Sequence, residues 1–238
     1  MARTRAHRRP PPVNAKTPVA SPAVPAPEAK PRLRGWIHTI MAPIALVVGI
    51  VLVVGSTTPA AKISTAVFAL TTVIMFGTSA VYHRGTWSPR AFAVLRRMDH
   101  ANIFLVIAGT YTPLAVLLLP AGTATLLLWL VWGGAVAGLL ARIFWLGAPR
   151  WFYVPVYVAL GWVAVGFLPA FWTNGGPAIA LLVIVGGLGY TLGAAAYGFK
   201  RPNPSPTWFG FHEIFHTGTV IGYSAHAIAI ALAAFSAV

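Results

Sequence analysis

The hydrophobic positions of this chain fall into seven long runs, roughly 36–54, 63–83, 99–119, 123–142, 151–170, 178–198 and 210–235. Each is about long enough to cross a hydrocarbon core of ~30 Å as a helix. Glycine or proline interrupts several of them, as at Pro43, Gly77, Pro155 and Gly186 to Gly189. Membrane helices tolerate such residues when neighbouring helices satisfy the freed backbone groups. Gly133, Gly134 and Gly138 would let helices approach closely, and the Gly186–Gly189 cluster reads as packing of the same kind. The pattern predicts an all-α membrane protein, a bundle of seven transmembrane helices spanning residues 35–238.

Residues 1–34 break the pattern. They hold Arg3, Arg5, Arg8, Arg9, Lys16, Lys30, Arg32 and Arg34 together with eight prolines, and Glu28 is their one acid. Such a stretch cannot bury enough apolar surface to fold. It also makes a poor signal peptide, because no short apolar core with a cleavage site follows it directly. It predicts a disordered, basic, proline-rich tail.

Composition sharpens the class. The chain is 58% hydrophobic and only 8% charged, with a mean hydropathy of +0.76, whereas a soluble domain carries about a quarter charged residues. There is no cysteine, so any metal must be held by His, Asp, Glu or water. The net charge of +14 resembles a nucleic-acid signal until its distribution is considered. Sixteen of the seventeen basic residues lie in the tail or in alternate loops, at Arg84 to Arg97, at Arg142 and Arg150, and at Lys200 and Arg201. Lys62 stands alone on the other side. This asymmetry reads as topology, with some attraction to anionic lipid headgroups, and places the N-terminus in the cytoplasm. Membrane lipids are the expected partners, and nucleic acid is not. With seven spans the C-terminus lies outside.

Topology then gives each polar residue a depth. His83 closes the second run, Asp99 opens the third, and His212 and His216 open the seventh, all at the cytoplasmic end. Ser79 lies one turn before His83 on the same helix face. Ionisable groups inside a membrane are costly and commonly functional. His212 and His216 are four residues apart, about 6 Å at the backbone, and so can reach one metal ion; they also suit a polar helix end wetted at the interface. Three imidazoles and a water would make an open zinc site. Zinc would bring its water towards a neutral pKa, Asp99 could orient that water and accept its proton, and Ser79 could bond a ligand, the water or an oxyanion. His212-Glu213-Ile214-Phe215-His216 also matches the metalloprotease pattern with Glu213 as base, a short pattern that arises by chance. His226 falls off the ligand face, about 15 Å deeper, and reads as a buried histidine bonded to a neighbouring helix. His100 reads as packing or as support for a ligand, and His38 as interfacial. Trp36, Trp87, Trp151, Trp172 and Trp208 read as interface anchors.

Ser79-Ala80-Val81-Tyr82-His83, Arg97-Met98-Asp99-His100, Ala108-Gly109-Thr110-Tyr111-Thr112-Pro113 and the His212–His216 segment together resemble the hemolysin III family. That family is related to the progestin and adipoQ receptors, among them the adiponectin receptors. The resemblance covers residues 34–238. It implies a seven-helix bundle with a cytoplasmic N-terminus in a bacterial plasma membrane, Zn2+ on His83, His212 and His216, and Asp99 against the zinc-bound water. It also implies a hydrolase of lipid amide or ester bonds, as proposed for the receptor branch and for a wider superfamily with alkaline ceramidases. The alternative it carries is a cytolytic pore or a non-enzymatic membrane regulator with a structural metal. The crowding of polar residues at one end of the runs favours a local site over a pore.

Overall fold

The computed structural model describes residues 30–145 and 147–236. The first 29 positions of the expected tail lie outside the described residues. Among those described, seven α-helices follow in order: α1 Trp36–Gly55, α2 Pro59–Arg84, α3 Pro89–Leu118, α4 Ala121–Phe144, α5 Arg150–Gly161, α6 Leu168–Phe199 and α7 Phe211–Phe235, with a 3-10 helix, Trp162–Phe167, between α5 and α6. Six helical stretches are long and apolar enough to cross a membrane, the fifth being the continuous run Arg150–Phe199. The chain is thus an integral, multi-pass, all-helical membrane protein.

Two helices begin earlier than hydropathy predicts, because their start is set by local chemistry. Thr58 and Ser88 each accept the N–H of the residue three positions on, at 3.2 and 3.3 Å. Each is followed by a proline at the first helical position, where its missing N–H costs nothing. α3 therefore starts at Pro89 rather than near residue 99 and carries Arg90, Arg96 and Arg97 on its first turns.

The run Arg150–Phe199 is not straight. Gly176 has φ 81° and ψ 170°, a region open essentially to glycine alone. The chain reverses there. Arg150 Nη1 donates to the Tyr197 carbonyl at 3.2 Å, the Tyr153 and Tyr197 hydroxyls are 3.1 Å apart, and Trp162 Nε1 donates to Thr191 Oγ1 at 2.8 Å. These pairs make residues 150–175 antiparallel to 177–199. Asn174 Nδ2 donates to the Leu118 carbonyl at 2.7 Å, tying the turn to the end of α3.

Helices adjacent in sequence pack side by side, and α7 also touches α1, α2 and α3. α3 and α7 are the most buried of the candidate spans. Phe68, Phe76, Phe104, Leu114, Leu127, Phe171 and Ile230 fill the core. The expected glycine packing is present for most of the cluster. Gly189 and Gly193 lie against Gly218 and Gly222 in an α6–α7 seam, and Gly138 lies against Phe104, whereas Gly133 meets nothing. The five tryptophans read as anchors are all solvent- or lipid-accessible.

The seam is tight enough to test. A Cβ on Gly218 would come within 2.7 Å of the Gly189 carbonyl oxygen and 2.8 Å of the Gly193 Cα, backbone atoms that cannot swing aside. Gly218→Leu should destabilise the bundle by at least the ~1–3 kcal/mol typical of overpacking, seen as a lower unfolding midpoint in detergent. Gly133→Leu, on an open face, should leave that midpoint unchanged.

Candidate metal centre

The last turn of α2, the first third of α3 and the first two turns of α7 meet at one end of the bundle. There the structure brings together all five residues singled out in the sequence. The ligand nitrogens of His83, His212 and His216 all lie within 4.8 Å of one another. His83 Nε2 and His212 Nε2 are 3.2 Å apart. Two imidazole nitrogens facing at that distance share either a proton or a cation. Tetrahedral zinc with Zn–N of about 2.0–2.1 Å holds its ligand nitrogens about 3.3 Å apart, so this pair already sits on such an edge. The widest separation exceeds that edge by about 1.5 Å, within reach of a ring rotation. The donor set therefore fits a borderline divalent cation such as zinc. Asp99 Oδ2 is 3.8 Å from His83 Nε2, too far for a direct hydrogen bond and suited to a bridging water.

Ser79, the fifth residue, is buried, and its hydroxyl lies 2.8 Å from His38 Nδ1. His38 itself departs from the sequence expectation. It is not interfacial but 2% exposed, with its ring stacked on that of His216 at 3.8 Å and 4°. The signal that could have found it was its place near the start of the first run, the end of the bundle to which the alternating charge pattern assigns the other histidines. His100 donates from Nδ1 to the Arg96 carbonyl at 2.7 Å and stands 3.9 Å from Asp99, a supporting neighbour. His226 donates from Nε2 to the Val183 carbonyl of α6 at 3.2 Å, the buried partner bond expected of it.

Glu213 is occupied elsewhere. Its Oε2 accepts the Gly210 N–H at 2.8 Å, closing the N-terminus of α7. Its Oε1 accepts from Arg34 Nε at 2.5 Å, and the side chain is 1% exposed. Both oxygens are taken, so the metalloprotease pattern lacks its free base. Arg34 was missed as a site residue because it reads as one more tail charge. Its segment is held by two backbone bonds, Arg32 N–H to the Thr207 carbonyl and Leu33 N–H to the Trp208 carbonyl, at 2.9 and 3.2 Å.

A cavity of about 120 Å³ opens from the centre into the bundle. His38, Ser79, Asp99 and His216 form its polar end, and Ile103, Leu114, Leu168, Val183 and Ile184 are among its apolar walls. His226 lines it ten residues further along α7, about 15 Å away. The 3-10 segment between α5 and α6 supplies Trp162, Ala164 and Val165 to the wall.

The ion pair beside the centre makes a stability prediction. Arg34→Ala strands a buried carboxylate, which should cost about 3 kcal/mol and lower the thermal midpoint. Adding Glu213→Gln should recover part of the loss, because no uncompensated charge remains. A model of haemolysin-III related proteins matches residues 28–227 of the chain.

Proposed function

The chain belongs to the haemolysin-III related family, and on that premise we propose that it is a metal-dependent hydrolase of lipid amide or ester bonds in the inner leaflet of a bacterial plasma membrane. The observation that carries this reading is the placement of Asp99 at 3.8 Å from His83 of a three-histidine cluster, beside a largely apolar cavity that Asp99 and His216 help to line. A structural metal needs neither a neighbouring carboxylate nor a chamber. A lipid hydrolase needs both.

The proposal includes seven crossings with a cytoplasmic N-terminus. The reversal at Gly176 divides Arg150–Phe199 into two antiparallel arms, each beyond the ~20 residues a crossing requires. Sixteen of seventeen basic residues then lie on the side of the centre.

His83, His212 and His216 hold the metal, and zinc suits three imidazoles. Bound there, it supplies Lewis-acid polarisation of an acyl carbonyl and makes water nucleophilic at neutral pH. The chain's own residues do the rest. The apolar walls take up the acyl chain and keep bulk water from the reacting carbonyl. Asp99 orients the attacking water and accepts its proton at Oδ2 as the new C–O bond forms. The same carboxyl returns that proton to the departing nitrogen or oxygen as the C–N or C–O bond breaks. Ser79, aimed by His38, offers a hydroxyl to the oxygen that gathers charge.

Two measurements test this. Reporter fusions at Lys62 and at Arg201 should report opposite compartments, and the same compartment would remove the common depth of the centre. Metal content and hydrolysis of ceramides and phospholipids should be read on the same preparations. Asp99→Asn should keep its metal and lose about 10²–10⁴-fold in rate, while His212→Ala should lose metal as well. Metal-loaded wild type that cleaves no acyl lipid would leave the family's alternative, a pore or regulator with a structural metal.

A further inference from the structure

His38 stands where an apolar residue would be cheaper. α1 turns Ile40, Ile44, Val47, Ile50, Val51 and Val54 outward, as a lipid-facing helix should. Its one histidine is turned the other way and is almost wholly buried. A buried imidazole is costly unless its contacts compensate. Three contacts fix this ring. Phe76 meets it edge-on at 5.0 Å, Ser79 Oγ lies within hydrogen-bond distance of Nδ1 at 2.8 Å, and His216 lies flat against its face at 3.8 Å. Nε2 is buried with no protein partner.

We propose that His38 is a positioning residue of the metal centre, which sets the ring plane of His216 through its face and the direction of the Ser79 hydroxyl through its edge. This rests on the metal reading above. An imidazole coordinates through a lone pair in its own plane, so a ligand ring free to rotate spends little time aimed at the ion. The groups that orient ligands usually do so by hydrogen bonds to the ligand's second nitrogen. No such bond to His216 is present among the described residues, and the parallel stack supplies the constraint instead. Histidine suits the position because one flat ring offers both a stacking face and an in-plane nitrogen. Phenylalanine has only the face, and asparagine only the polar edge. The same ring therefore couples α1 to α2 and to α7 at the centre.

The test uses the full-length protein in detergent, stripped of metal and titrated with Co2+, whose absorption reports both affinity and ligand geometry. Thermal midpoints of the metal-free proteins are recorded alongside. His38→Ala should bind Co2+ about 10–100-fold more weakly, with an altered visible band. His38→Phe should restore affinity to within a few-fold through the stack, while leaving lipid hydrolysis low because Ser79 is released. His38→Asn should show the converse loss of affinity. Equal Co2+ affinity and an identical band in wild type, His38→Ala and His38→Asn would overturn the proposal, as would a lowered metal-free midpoint as the only change. Should His38→Ala fail to fold, the Phe and Asn pair decides alone, since only a role through the stack separates them in affinity. Wild type that binds no Co2+ overturns the metal reading and this proposal together. Wild type that binds it but cleaves no lipid overturns the hydrolase alone.

Discussion

Hydrocarbon gives a polar side chain no solvent, so each one buried in this bundle must find its partner within the protein. The chain carries three acids in all, and the two that are described lie at one end of the bundle. Asp99 faces histidines, and Glu213 faces Arg34 and the open N-terminus of α7. α7 is therefore fixed at its polar end on one side by an ion pair and approached on the other by His83 and His38. Over the next turns, glycines on α6 and α7 let the two backbones touch, and deeper still His226 bonds to the Val183 carbonyl. Fold and centre share one logic: the contacts of the two carboxylates gather at the end where helix termini and arginines can satisfy them, and the rest of the core is largely apolar.

Much of this was legible in the sequence, for identifiable reasons. Hydropathy marks the spans because the bilayer fixes their length. Alternate-loop charge then assigns a level to each histidine without any contact information, and His83, His212, His216 and Asp99 do meet. What hydropathy cannot see is direction. α1 is apolar all round, so nothing in its pattern says that His38 points inward. The Arg150–Phe199 run shows how a chain can remain helical by hydrogen bonding and still reverse, through one residue at positive φ. Helix starts at Pro59 and Pro89 were set by a capping hydroxyl and a proline, signals that lie outside the apolar run itself.

Glu213 illustrates the limit of motif reading. Its place between two metal-competent histidines invites the role of base, and in sequence the two cases look alike. The geometry separates them, since the Glu213 carboxylate is engaged through both oxygens, by a helix N-terminal N–H and by a guanidinium. Asp99, more than a hundred residues away in sequence, is the carboxylate that stands beside the cluster, 3.8 Å from His83.

The strap through Arg32 and Leu33 changes where the folded unit begins. By hydropathy the membrane domain starts at residue 35, and everything before it reads as a disordered tail. Yet the backbone at 32 and 33 is paired to the α6–α7 loop, and the next side chain neutralises a carboxylate one residue from a candidate ligand. A chain trimmed to Gly35 would keep every apolar run and lose the counter-ion on which the helix of His212 and His216 depends. The end of the tail is thus built into the bundle, through backbone bonds at residues 32 and 33 and the side chain of Arg34.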